Sequence, residues 1–91
     1  MEAIQLSDGQ KNRITVEIYG HQYVIVGSET KAHIRLVADM VDEKMREISS
    51  KNPMLDTNKI AVLTAVNTIN EYIKLKDKVE QLEKELKELR D

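Results

Sequence analysis

After Pro53 the sequence runs to its end without another Pro or Gly, and from Tyr72 onward it repeats every seven residues. With Asp56 or Thr57 as cap, the stretch from about Asn58 to Arg90 predicts one helix. At a rise of ~1.5 Å per residue that helix is about 50 Å long. Any head built from the first half of so short a chain is narrower than this, so the helix must project. Tyr72, Val79 and Leu86 take position a of the repeat, and Leu75, Leu82 and Leu89 take position d. Leu at every d position with a β-branched residue at one a position favours two strands.

The flanking positions set the orientation. Glu71, Lys78 and Glu85 stand at g, and Lys76, Glu83 and Arg90 at e. In a parallel, in-register pair of helices each g residue faces the e residue of the next heptad on the other chain. The pairs Glu71–Lys76, Lys78–Glu83 and Glu85–Arg90 are all opposite in sign. Exposed ion pairs contribute only a few tenths of a kcal/mol each, so they select orientation more than they stabilise. The rival arrangement is an amphipathic helix folded back on its own head. Upstream, Val62, Ala65, Val66, Ile69, Tyr72 and Ile73 cover an arc broader than a two-stranded seam. That breadth implies contact with both the head and a second subunit, with a four-helix arrangement of two dimers as the alternative.

The first half reads differently. Residues 1–12 show no periodicity and are expected to be a loosely held lead-in. Ile14, Val16 and Ile18 then alternate with polar residues, the period of a half-buried strand, and a second β-rich run covers Gln22 to Val26. Gly20-His21 between them suits a two-residue type II′ turn. That turn predicts Ile18 opposite Tyr23 and Val16 opposite Ile25, with four apolar side chains on one face. Ser28 or Thr30 caps a helix to about Ser49, with Ile34, Val37, Ala38, Val41, Met45 and Ile48 as its main apolar stripe. Leu36 and Met40 lie on a second apolar face and imply a second neighbour. Met40 and Met45 read as core or interface filler rather than a binding surface.

Composition excludes several functions. The chain has no Cys, so a disulfide staple, a thiolate zinc site and a thiol nucleophile are all absent. His21 reads as an exposed turn residue and His33 as an interface residue, and two histidines without a defined carboxylate spacing make no metal signature. No nucleophile, base and orienting group converge, and no Gly-rich phosphate loop exists, so neither enzyme nor cofactor is expected. A basic-zipper protein needs a basic stretch before its zipper. Here Ile60 to Ile73 is apolar with one acid, and Lys74 to Asp91 carries six basic and six acidic residues. Nucleic acid is therefore not the expected partner. With no membrane-length apolar run and no signal-like segment, the cytoplasm is the expected location.

Three segments in order, "ITVEIYGHQYVI", "VADMVDEKMREI" and "KIAVLTAVNTINEYIKLK", resemble the ZapA family of bacterial cell-division proteins, over about Arg13 to Lys76. The resemblance implies an αβ head, a long C-terminal helix, and dimers that can join as tetramers. It also implies binding of FtsZ filaments at mid-cell through the head, and bundling of them, with no cofactor. Many family members carry Arg where this chain has His21, which takes fixed charge from the tip and opens it to pH. The helix is also short beside longer members, so the dimer is better supported than the tetramer.

The combined expectation is an α+β protein: a lead-in over 1–12, a head over 13–71 made of a β-hairpin, a helix and the start of the long helix, and a coiled-coil tail over 72–91. The partner surface for FtsZ is expected at the hairpin tip and nearby cations, His21, Arg35, Arg46 and Lys51. Against this stands the reading of each as an ordinary solvated charge. The self-association surface is expected at Leu36, Met40, Ile69, Tyr72, Leu75, Val79, Leu82, Leu86 and Leu89. A general coiled-coil adaptor with an unrelated client is the alternative function.

Overall fold

The computed structural model describes residues 2–90; Met1 of the expected lead-in and Asp91 of the expected tail lie outside the described residues. Strands β1 (Ala3–Gln5), β2 (Asn12–Ile18) and β3 (His21–Gly27) precede helices α1 (Lys31–Lys51) and α2 (Thr57–Arg90). The strands form one sheet in the order β1-β3-β2. A small sheet and helix head followed by one long helix is the α+β arrangement expected from the sequence.

The lead-in is not loose. Ala3–Gln5 pairs in parallel with β3, Ile4 opposite Ile25, and the Leu6 N–H donates to the Val26 carbonyl at 2.8 Å. Beyond it, the Ser7 hydroxyl donates to Glu29 Oε1 at 2.6 Å and accepts from the Ser28 N–H at 3.1 Å. Three residues are too few to show a period, and their partner strand begins about twenty residues away in sequence. A pattern search along the chain therefore misses this strand.

The hairpin register is also corrected. Val16 stands opposite Tyr23, Ile14 opposite Ile25 and Ile18 opposite His21, so the turn residues are Tyr19-Gly20. Both have positive φ, 50° and 80°, which is a type I′ turn rather than the expected type II′ turn at Gly20-His21. The pairing shifts by two residues, and side chains alternate with period two, so every side chain of the two paired strands keeps its face. Ile14, Val16, Ile18, Tyr23 and Ile25 still share the face that packs on Ile34 and Ala38 of α1.

Helix α1 starts where the Thr30 hydroxyl oxygen accepts the His33 N–H at 3.1 Å, and it ends at Asn52, whose N–H donates to the Ser49 carbonyl just before Pro53. Ile34, Ala38, Met45 and Ile48 are its buried stripe, and Met45 is core filler as expected. Asp56 caps α2, its Oδ1 accepting the Lys59 N–H at 2.9 Å. Ile60, fully buried, locks α2 against Met45 and Ile48. Burying one such side chain contributes roughly 1.5–3 kcal/mol. Of α2, only Ile60 and Thr64 are buried among the described residues. The helix stays in contact with α1 as far as Glu71, bonded to Lys44, and then leaves the head instead of folding back on it.

Candidate functional site

Two surfaces remain once the core is set. The first is the seam of α2. Leu75 is 64% exposed, and Ile69, Tyr72, Val79, Leu82, Leu86 and Leu89 are each at least half exposed. On α1, Leu36 and Met40 are exposed in the same way, whereas the stripe one face round is buried. From Leu75 on, this apolar row has no covering neighbour among the described residues. It is the surface the heptad spacing picks out, and it can bury apolar area against another helix.

Where the seam meets the head, α2 is tied to α1 by Lys44, whose Nζ lies 3.0 Å from Glu71 Oε1. Glu71 is the g residue expected to reach Lys76 of a second chain. Here it is engaged within its own chain, and the hydrogen bond to it raises the Lys44 pKa. Asn67, also on the side of α2 facing α1, has a buried Oδ1 without a hydrogen-bond partner.

The second surface is the hairpin tip. Tyr19 is the sole non-glycine residue with positive φ among the described residues. Such a conformation costs about 1–2 kcal/mol for a side chain with a Cβ, and here three residues of α1 hold it. The Tyr19 N–H donates to Asp42 Oδ1 at 2.7 Å, and its phenol donates to Ser49 Oγ at 2.8 Å. Arg46 Nε donates to the other oxygen of Asp42 at 3.0 Å, and the guanidinium carbon lies 5.9 Å from the Tyr19 ring centre. The hydrogen bond from Arg46, then that from the Tyr19 N–H, holds the Asp42 carboxyl below its ordinary range. Asp42 in turn raises the Arg46 pKa. In the register expected from sequence Tyr19 would extend β2, with its ring on the face of Thr15 and Glu17, away from α1. The I′ turn instead lets the ring reach the cluster of Met45, Ile48 and Ile60.

The expected partner-facing cations are only partly gathered. His21 is exposed, with Nδ1 3.1 Å from the Tyr19 carbonyl oxygen, and Arg46 stacks on the same tyrosine. Arg35 is exposed on the same side of α1 but eleven residues earlier, about 16 Å along the axis. Lys51 ends α1 on another side, 3.6 Å from Glu47 Oε1. The sequence reading missed Tyr19, Asp42 and Ser49. The i, i+4 spacing of Asp42 and Arg46 is the one local signal that pointed to them. No group of three His, Cys, Asp or Glu side chains suited to a metal occurs among the described residues, and no helix there is long and apolar enough to cross a membrane.

A profile of the family described as "Cell division protein ZapA" matches residues 14–91. "Cell division protein ZapA" of Bacillus subtilis is 59% identical over 83 residues, covering 91% of this chain and 98% of that protein. "Cell division protein ZapA" of Bacillus pumilus is 61% identical over the same length and with the same coverage. A solved structure, "ZapA mutant dimer from Geobacillus stearothermophilus", is 55% identical with a TM-score of 0.67, covering 88% of this chain and 93% of that one. A matched profile over most of the chain, near-complete coverage of relatives and a shared fold agree with one another: the chain belongs to the ZapA family of cell-division proteins.

Proposed function

We propose that this chain binds FtsZ filaments through its head at the mid-cell division site, and cross-links them by pairing α2 with the α2 of a second copy. The observation that carries the reading is the bare seam: Tyr72, Leu75, Val79, Leu82, Leu86 and Leu89 are all at least half exposed on a helix that leaves the head. A row of this kind in water favours a second helix, and the opposed e and g charges favour a parallel one. Two heads then sit at one end of a shared rod. Each head needs only a weak site, because linked sites gain avidity without new contacts. The solved relative is itself a dimer, which supports the pairing.

The head surface proposed for the filament is the hairpin tip with its cations, His21 and Arg46 at the tip and Arg35 and Lys51 on α1. Leu36 and Met40 join the seam as the self-association surface of the head, with a tetramer as the further assembly. Spinning the protein down with FtsZ and GTP tests the proposal. The protein is expected in the pellet with thickened bundles, and retention in the supernatant refutes filament binding. Arg35→Glu with Lys51→Glu is expected to weaken pelleting and leave the dimer intact. Sedimentation as a monomer at about tens of micromolar refutes the bridging step.

A further inference from the structure

The strained turn is the feature that the seam does not explain and that packing of the Tyr19 ring on the core explains only in part. A hairpin joined by Tyr-Gly has an easier choice nearby, because Asn-Gly or Gly-Gly forms the same turn without a penalty on the first residue. Here the sequence keeps a large side chain in the left-handed region, at φ 50°, and three side chains of α1 spaced over two turns converge on it. Asp42 has both oxygens engaged, one by the Tyr19 N–H and one by Arg46. Ser49 takes the phenol, and the Arg46 guanidinium covers the ring. The next residues beyond the turn are exposed, and His21 is bonded back to the Tyr19 carbonyl. A non-glycine residue persists in such a conformation only where the surroundings over-determine it, and strain of this kind gathers where geometry matters for recognition.

We infer that Asp42 is a positioning residue for partner binding: by holding the Tyr19 N–H it fixes the left-handed turn that aims the hairpin tip, without itself touching the partner. This deepens the filament-binding reading and rests on it. Arg46 keeps the Asp42 carboxylate pointed at the turn, and Ser49 anchors the far end of the tyrosine. Without the clasp the tip spends most of its time in other conformations. The apparent affinity then drops by the fraction of molecules that retain the competent turn.

The test is a double-mutant cycle on full-length protein, read by pelleting with FtsZ filaments. Asp42→Ala is expected to weaken binding about tenfold, the population penalty of an unsupported left-handed residue. Tyr19→Asn builds an Asn-Gly turn that forms without the clasp. In that background, Asp42→Ala is expected to cost less than twofold, a coupling that simple loss of head stability would not produce. An equal cost in both backgrounds overturns the inference, because Asp42 then acts independently of the turn. No cost in the unaltered background overturns it as well. The second measurement is independent of filaments: the backbone NMR shifts and ³J coupling of residue 19, which report its φ, are expected to move between the unaltered protein and Asp42→Ala, and not between Tyr19→Asn and Asp42→Ala with Tyr19→Asn. Unaltered shifts in Asp42→Ala overturn the clasp even if the unaltered protein fails to pellet, which would itself sink only the filament reading.

Discussion

Replacing Leu82 with Ala isolates the seam from the head. Leu82 is 53% exposed within one chain and lies at a d position more than four turns beyond Thr64, the last buried residue of α2. Nothing in the head touches it, so the substitution leaves the sheet and α1 as they are. Fully burying a Leu contributes roughly 1.5–3 kcal/mol, so covering its exposed half in a dimer contributes about 0.8–1.5 kcal/mol. Both copies lose the side chain, and the dimer loses about 1.5–3 kcal/mol. At about 1.4 kcal/mol per tenfold, the dimer dissociation constant rises roughly 10- to 150-fold. Sedimentation velocity over a concentration series measures this shift. Glu80→Ala, one heptad position past the a residue Val79 and off the seam, is the control and is expected to leave the constant unchanged. Far-UV circular dichroism at high concentration checks that the helix itself survives, since Ala is the better helix former. A dissociation constant within threefold of the unaltered protein would refute the argument, because Leu82 would then face solvent in the assembly.

The hairpin tip is expected to loosen in acid. The Asp42 carboxyl is held below its ordinary range by Arg46 and by the Tyr19 N–H, so its folded pKa lies below its unfolded one. Its contribution is therefore complete above the unfolded pKa and is lost as pH falls through the folded one. Hydrogen exchange at the Tyr19 amide is expected to accelerate across that window, and Asp42→Asn is expected to flatten the profile. At the junction of the helices, Asn67→Ala is expected to leave the melting temperature unchanged or raise it. The change removes a buried Oδ1 that has no donor and improves helix propensity. A clear drop on calorimetry would mean that Asn67 has a partner in the assembled protein.

Much of this molecule could be read along the chain because its signals are local. Ile14, Val16 and Ile18 show their period within five residues, Thr30 and Asp56 cap the helices directly beside them, and the heptads of α2 repeat without interruption. The α1 stripe follows the same logic, and four of its six members are buried. What escaped the reading depends on residues far apart in sequence. Strand β1 owes its existence to an open edge on β3, and the Ser7 latch to Glu29 twenty-two positions later. Glu71 could be assigned to a heptad position but not to Lys44, twenty-seven positions earlier. At the candidate site, the cations could be named one by one. Their grouping could not, since it needs the path of α1 over the sheet.

The sequence by itself determined that β2 and β3 are strands and α1 and α2 helices, which face of each is apolar, and that a long helix leaves the head with its seam bare. These follow from side-chain periodicity and from the placement of Gly and Pro, properties that no distant residue can reverse. The tertiary structure alone decided where the hairpin turns. Both candidate turns keep the same apolar face, because they differ by two residues and side chains alternate with that period. Only when α1 lies across the sheet do Asp42, Arg46 and Ser49 come within hydrogen-bonding and stacking distance of Tyr19, and their combined hold outweighs the cost of a left-handed tyrosine.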